Sequence, residues 1–329
     1  MFRQERGLSL AILIVGIPAR GAVDTSALWR PLDDIASRDV FYGPGGKFDQ
    51  PRGSFTFIEE DLKGTQPKFV VRDADGVKWT VKLGSEARPE TAASRLIWAA
   101  GYFANEDYFL PLLTVQSLPA RLHRGQKFVA PDGTLRAVRL KKHLVDEKKI
   151  GTWDWRANPF SGTREMNGLR ALMALLNNWD LTDENNAILE RQGKIEPYEA
   201  RQIYLVSDVG STLGSGNLRW PMRQVRGNLR SYGGSNFTTR VDADYVDFYS
   251  PGRPGLFFLA TPREYFHKMQ LRWIGRRIPR RDARWIGQVL GRISKDQIRD
   301  AFRAAGYPPA EVDAFTNIMQ QRIARLEEL

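Results

Sequence analysis

Apolar positions change their period along the chain, and the changes mark the elements. Ser54-Phe55-Thr56-Phe57-Ile58 alternates polar and apolar side chains, as a half-buried strand does. Lys63-Gly64-Thr65-Gln66-Pro67 reads as a turn and Lys68–Arg72 as a second strand. Asp73-Ala74-Asp75-Gly76 is a strong hairpin signal, and Lys78–Leu83 forms the third strand. The period then becomes helical: Ala93, Leu96, Ile97 and Ala100 share one face. Pro89 suits the first turn of that helix, Glu90 suits the positive end of its dipole, and Gly101 stops it.

Residues 108–143 read as mostly extended, with an apolar run over Phe109–Leu118, a turn at Pro131-Asp132-Gly133 and a strand over Ala137–Leu140. They complete a small five-stranded lobe and lead into a hinge near Lys141–Leu144, with Asp146–Lys149 as a solvated loop. Upstream, Val23–Arg38 reads as a short helix or an extended arm. Thr163 is placed to cap a helix ending near Leu176, whose buried face carries Met166, Leu169, Met173 and Leu176. That helix delivers Asp180 and Asn185 to a loop at its end. A hairpin of Ile188-Leu189 and Ile203–Val206 then leads to Asp208-Val209-Gly210. Residues 211–256, rich in Gly, Ser, Asn and Arg, read as a loop that faces substrate or as an insertion, and the chain from Gly255 onward reads as helical. The pattern predicts an α+β class: a small antiparallel β lobe within residues 22–143 and a larger, mainly helical lobe over 144–329.

Length and composition fit this picture. At 329 residues, with 42% hydrophobic and 26% charged side chains, the chain can bury a large core in two lobes and does not read as disordered. The first 21 residues read as a signal peptide. Arg3 and Arg6 precede an apolar run over Leu8–Ile17, and Ala19 and Gly21 are small residues suited to cleavage. An uncleaved anchor or a misassigned start is the other reading of that segment. As a signal peptide it predicts an extracytoplasmic protein, secreted or periplasmic. Its removal takes three Arg and one Glu and lowers the net charge from +11 to +9.

The absence of cysteine excludes disulfides, thiolate catalysis and Cys-bound zinc. Three scattered histidines do not make a His-rich metal site. Arg272, Arg276, Arg277, Arg280, Arg281 and Arg284 form a basic cluster opposed only by Asp282. It reads either as a solvated helix face or as a site for an anionic partner. No nucleic-acid-binding module accompanies it.

The candidate chemistry lies in the acids and amides at the ends of elements. Lys82 sits on the third strand, where it is either a solvated lysine or the partner of an acid on the next helix. Glu90 is the natural partner and Glu86 a competitor for it. Asp180 and Asn185 stand five residues apart after a buried helix, and Asp208 ends the hairpin beside them. Asp183, Glu184 and Asn186 belong to the same turn and read equally as solvating it. The glycines of Phe41–Gly46 lack the Lys-Ser/Thr ending of a phosphate-binding loop and read as an ordinary turn.

Taken in order, these pieces resemble the protein-kinase-like superfamily, and within it the HipA-type branch. Gly64-Thr65-Gln66-Pro67-Lys68 resembles the Gly-x-Gln-Pro-Lys segment of HipA-type kinases, and Thr80-Val81-Lys82 the strand with the nucleotide lysine. Asp180-Leu181-Thr182-Asp183-Glu184-Asn185 is similar to the Asp-Leu-Lys-Pro-Glu-Asn catalytic loop, and Asp208-Val209-Gly210 to Asp-Phe-Gly. The resemblance covers about residues 54–215 and implies a two-lobed fold with Mg²⁺ and ATP in the cleft.

It implies that Gly64 and Thr65 cover the phosphates, that Lys82 oriented by Glu90 binds them, and that Asp180 orients the acceptor hydroxyl. Asn185 and Asp208 then hold Mg²⁺. The acceptor is a protein or small molecule bearing a hydroxyl, and nucleotidyl transfer would use the same residues. The alternative expectation is a secreted, catalytically inactive kinase-like scaffold that binds an anionic partner.

Overall fold

A computed structural model gives the fold; it describes residues 23–329 except 32, 34, 194–199, 220–222, 251–258, 260 and 261. The proposed signal peptide and Lys194 of the hairpin turn lie outside the described residues.

Alternation builds the small lobe. Strands β1 (Phe55–Asp61), β2 (Lys68–Arg72) and β3 (Lys78–Lys82) pair antiparallel in sequence order. The turn between β2 and β3 is closed by Asp73, whose Oδ1 accepts from the Asp75 and Val77 amides at 3.0 and 2.9 Å. Its Oδ2 accepts from the Trp79 indole at 2.7 Å. In β3, Trp79 and Val81 enter an apolar cluster with Phe69, Val71, Leu135 and Leu140. Thr80 and Lys82 therefore lie on the opposite face. Strands β4 (Asp107–Leu113), β5 (Val115–Gln116) and β6 (Leu135–Lys142) complete a sheet of order β4-β6-β3-β2-β1-β5. It has six strands where the sequence suggested five. The sixth, β5, is two residues long and pairs parallel to β1, too short for a periodicity to show.

Helix α1 (Ala87–Ala99) packs against β4 and β6, yet Ala92, Ala93, Leu96 and Ile97 belong to the core of the large lobe. Gly101 ends the helix at φ +93°, and a Cβ there would lie 2.7 Å from the Arg30 carbonyl oxygen. The arm over residues 23–31 contains turns and a bridge from Trp29 to Tyr102, with no helix. A short strand, β7 (Glu147–Gly151), occupies the segment read as a solvated loop. It is an edge strand paired only to β8 (Asn186–Arg191), which in turn pairs with β9 (Gln202–Val206).

Helix α2 (Arg164–Leu175) is the buried axis of the large lobe. Thr163 Oγ1 accepts from the Met166 amide at 3.2 Å and so supplies the N-cap. Leu169, Leu172 and Met173 are almost wholly buried. The region 211–256 is more structured than its composition suggested. It contains β10 (Ser215–Arg219), β11 (Arg223–Val225), α3 (Leu229–Gly233), β12 (Thr238–Val241) and β13 (Tyr245–Phe248). The C-terminal part is helical as expected: α4 (Pro262–Gln270), α5 (Arg280–Gly291), α6 (Lys295–Ala304) and α7 (Pro309–Glu327). A two-residue strand, β14 (Ile278–Pro279), pairs with β13. The class is thus α+β, a mostly antiparallel sheet with one helix beside a larger, mainly helical body. Among the described residues no helix is long and apolar enough to cross a membrane.

The core of the large lobe sets the first prediction. Leu172 is 0% exposed, whereas Val145 is 100% exposed. Leu172→Ala is expected to cost about 2–5 kcal/mol in urea denaturation, through lost burial and a residual cavity. Val145→Ala should stay within about 0.5 kcal/mol of the wild type. Equal effects would show that α2 is not the packing axis.

Candidate active site

The site begins with Lys82, the last residue of β3. Being on the face away from the apolar cluster, it points toward α1 and is buried there, 5% exposed. Glu90 and Glu86 stand one helical turn apart at the start of α1. Lys82 Nζ lies 2.9 Å from Glu90 Oε2 and 3.1 Å from Glu86 Oε2. From the end of β9, Asp208 brings both carboxylate oxygens to 3.2 Å from the same nitrogen. Glu86 and Glu90, which the sequence set in competition, both pair with Lys82. Burial disfavours the ammonium, but Glu90 and Asp208 outweigh it, and the group is held above the ordinary lysine range.

Other charges complete the cluster. Arg139, opposite Lys82 in the β3–β6 ladder, pairs with Glu90 at 2.7 Å and with Asp107 at 3.3 Å. Arg226 Nε lies 3.0 Å from Glu86 Oε1. Burial nevertheless raises the Glu86 carboxyl above its ordinary range. Burial also opposes ionisation of Asp208, yet Lys82, Arg139 and the Gly210 amide prevail and hold its carboxyl below the usual range. The Asp208 side chain remains 44% exposed, so one side of its carboxylate is open. Gly210 is required by this packing, since a Cβ there would lie 2.8 Å from Glu86 Oε2.

The Asp180 loop is tied to the same place through backbone. Asn185 carbonyl oxygen accepts from the Ser207 and Asp208 amides at 2.8 and 3.1 Å. Asn185 Nδ2 donates to the Asp180 carbonyl oxygen at 2.7 Å, which turns Oδ1 away from that bond. The Asp180 amide donates to Asn178 Oδ1 at 3.0 Å. Asp180 and Asn185 are both partly exposed. Gly64 and Thr65 lie exposed in the β1–β2 turn, at the end of the sheet where Lys68 pairs with Lys82.

The donor set suits a hard divalent cation. Carboxylate oxygens of Glu86, Glu90 and Asp208 lie within 4.8 Å of one another. Lys82 already serves Glu86 and Glu90, so the open side of Asp208 is the part of the set that fits an ion.

A cavity of about 490 Å³, within the size range of small-molecule sites, lies between the sheet, the loop after α1 and strands β8 and β9. Thr80, His143, Ala187, Leu189 and Ser207 line it; Lys82 and Asp208 do not, so it adjoins the charged cluster rather than containing it.

Sequence reasoning missed Arg139 and Arg226. Arg139 carried a usable signal: it alternates with Val138 and Leu140 in a strand, which places a charge on the face of Lys82. Arg226 carried none, lying in a segment without periodicity. The C-terminal basic cluster is partly engaged internally. Arg280 Nε donates to the Leu329 carbonyl oxygen at 3.0 Å, and Arg284 donates to the same oxygen. Arg277 stacks on the Tyr245 ring.

No family model matches the chain, and no curated protein matches it. Among solved structures it is similar to a Helicobacter pylori proinflammatory kinase, CtkA, at 11% identity and a TM-score of 0.41, covering 83% of this chain and 93% of that one. It is similar to the Golgi casein kinase at 10% identity and a TM-score of 0.44, covering 85% and 72%. The structure of that kinase with Mn/ADP bound gives 10% identity, a TM-score of 0.43 and coverage of 85% and 73%.

The cluster predicts a pH-dependent variant. Lys82 contributes stability that is full below about pH 10 and lost as pH rises through its raised value. Asp208 contributes stability that is full above about pH 4 and lost as pH falls through its lowered value. Lys82→Met removes the cation that the three acids share and is expected to cost about 3–5 kcal/mol near neutral pH. The deficit should shrink toward about pH 5, because Glu86, whose carboxyl burial already raises, then takes up a proton on folding. Urea denaturation across that range decides it; a deficit constant with pH would mean that Lys82 only packs.

Proposed function

We propose that this chain is a kinase-like phosphotransferase that uses Mg²⁺ and ATP on a hydroxyl-bearing protein or small molecule. The observation that carries this reading is the convergence of Lys82, Glu90 and Asp208 from β3, α1 and the end of β9. Lys82 and Asp208 are 126 residues apart in sequence, yet they meet at 3.2 Å. The backbone bond that Asp208 donates to the Asn185 carbonyl oxygen, and the side-chain bond that Asn185 donates to the Asp180 carbonyl oxygen, add the remaining two residues in one unit.

In this reading Lys82, oriented by Glu90, neutralises the α- and β-phosphates. Asp180 orients the acceptor hydroxyl and receives its proton. Asn185 and Asp208 hold Mg²⁺, which when bound neutralises phosphate oxygens. Gly64 and Thr65 cover the phosphates. Catalysis is then mainly positioning and charge stabilisation. Nucleotidyl transfer, with ATP bound the other way round, draws on the same groups. The order of Gly64–Lys68, Lys82, Asp180, Asn185 and Asp208 supports the HipA-type branch, and residues 1–21 support an extracytoplasmic location.

Calorimetric titration of ATP in Mg²⁺, Mn²⁺ or EDTA tests the reading. Binding should require the metal and should weaken at least about tenfold in Asp208→Ala. Absence of ATP binding by folded protein in every condition overturns it and favours a scaffold that binds an anionic partner through the Arg272–Arg284 cluster.

A further inference from the structure

The turn that joins β1 to β2 is held from outside by one side chain. Arg124, in the segment between β5 and β6, donates from Nη1 to the Gly64 carbonyl oxygen at 2.6 Å. Its Nη2 donates to the Asp61 and Lys63 carbonyl oxygens at 2.9 and 3.3 Å. Arg124 is itself fixed by Glu60, whose two carboxylate oxygens accept from the Arg124 and His123 amides at 2.6 and 2.8 Å. The next residue, Gly125, has φ +89°, and a Cβ there would lie 2.9 Å from both Leu83 and Pro67 side-chain carbons. The segment is thus seated on the turn and on the residue that follows Lys82.

A trans peptide points its C=O and its N–H in opposite directions. With the Lys63 and Gly64 carbonyls drawn to one guanidinium, the amides of Gly64 and Thr65 both face away from it. Gly64 is left-handed, at φ +70°, and successive amides around such a residue form an anion-binding concavity. The turn stands next to Lys82: Lys68 pairs with Lys82 across the ladder, and the Leu83 amide donates to the Pro67 carbonyl oxygen at 3.0 Å.

We propose that Arg124 is a positioning residue for phosphate binding: by holding three carbonyls it turns the Gly64 and Thr65 amides together as a cradle for a nucleotide phosphate. This rests on the phosphotransferase reading. It explains how a turn with a single glycine serves where glycine-rich loops supply many amides. The fork shape matters as well as the charge, because a guanidinium reaches several carbonyls in fixed geometry and an ammonium does not.

The test is calorimetry of ADP and of adenosine, each with Mn²⁺, on the full chain and on Arg124→Ala and Arg124→Lys. ADP affinity should fall about ten- to a hundredfold in both variants, the scale expected when a contact group is misplaced, with adenosine affinity unchanged. Amide hydrogen exchange at residues 62–67 should quicken in both variants while the rest of the sheet keeps its protection. Unchanged ADP affinity in Arg124→Ala overturns the role of Arg124 and leaves the phosphotransferase reading standing. Full ADP affinity in Arg124→Lys shows that charge alone suffices, and overturns positioning. Equal loss of adenosine and ADP overturns a role specific to phosphate. A wild type that binds no ADP overturns the phosphotransferase reading, and this proposal with it.

Discussion

One buried ammonium organises the site. Lys82 is enclosed by Glu86, Glu90 and Asp208, each within 3.2 Å of its nitrogen. Three carboxylates around one cation would repel one another if nothing else were near. Arg139 and Arg226 supply the missing positive charge from β6 and from the end of β11, on the sides of Glu90 and Glu86 away from Lys82. Buried ions are expensive to desolvate, and such a cluster persists only when its members are mutually satisfied. It therefore dictates position: the register of β3 against β6, the first turn of α1, and the backbone at Gly210 all have to suit it. The stability of the fold comes from its apolar cores; the cluster's contribution is to fix where these elements meet.

What the sequence made legible follows from this division. Strands β1 to β3 and helix α1 were readable because apolar side chains recur in them at strand or helix spacing and Pro67, Asp73–Gly76, Pro89 and Gly101 punctuate them. Helix α2 and its Thr163 cap were readable for the same reason. Strand β7 was not, since Lys148, Lys149 and Ile150 are exposed at a sheet edge and no apolar stripe is required there. Strands β10 to β13 lie in a Gly- and Ser-rich stretch, and Arg240 and Val241 of β12 are exposed, so composition outweighed pairing. In the site, Lys82 and Glu90 are close in sequence and one turn of reasoning apart. Asp208 was reachable because the hairpin returns it beside Asn185. Arg226 and Arg124 act over long sequence separations, on Glu86 and on the β1–β2 turn, and local pattern does not encode such contacts.

The two apolar cores give these contacts their significance. The sheet has its own cluster around Phe69, Trp79, Val81 and Leu140, while α1 contributes Ala92, Ala93, Leu96 and Ile97 to the core of the large lobe. The helix thus belongs by packing to the larger body, and Lys82 and Arg139 reach across to it from the sheet. The charged cluster is the polar seam between two cores. Apolar burial has no preferred direction, whereas the hydrogen-bonded ion pairs of the seam do, and they fix how the sheet and the helix meet.

That seam fits the chemistry proposed for the site. A triphosphate brings several negative charges to a place where Lys82 is already neutralised by three acids. It gains Lys82 only to the extent that Asp208, the most exposed of the three, turns to another cation. On the proposed reading a divalent metal would supply that cation, and metal and nucleotide would then favour each other through the lysine they share. The same reasoning explains why Glu86 and Glu90 are buried and anchored by arginines while Asp208 is left open. Two of the acids hold the lysine in place, and the third is the one that can exchange partners.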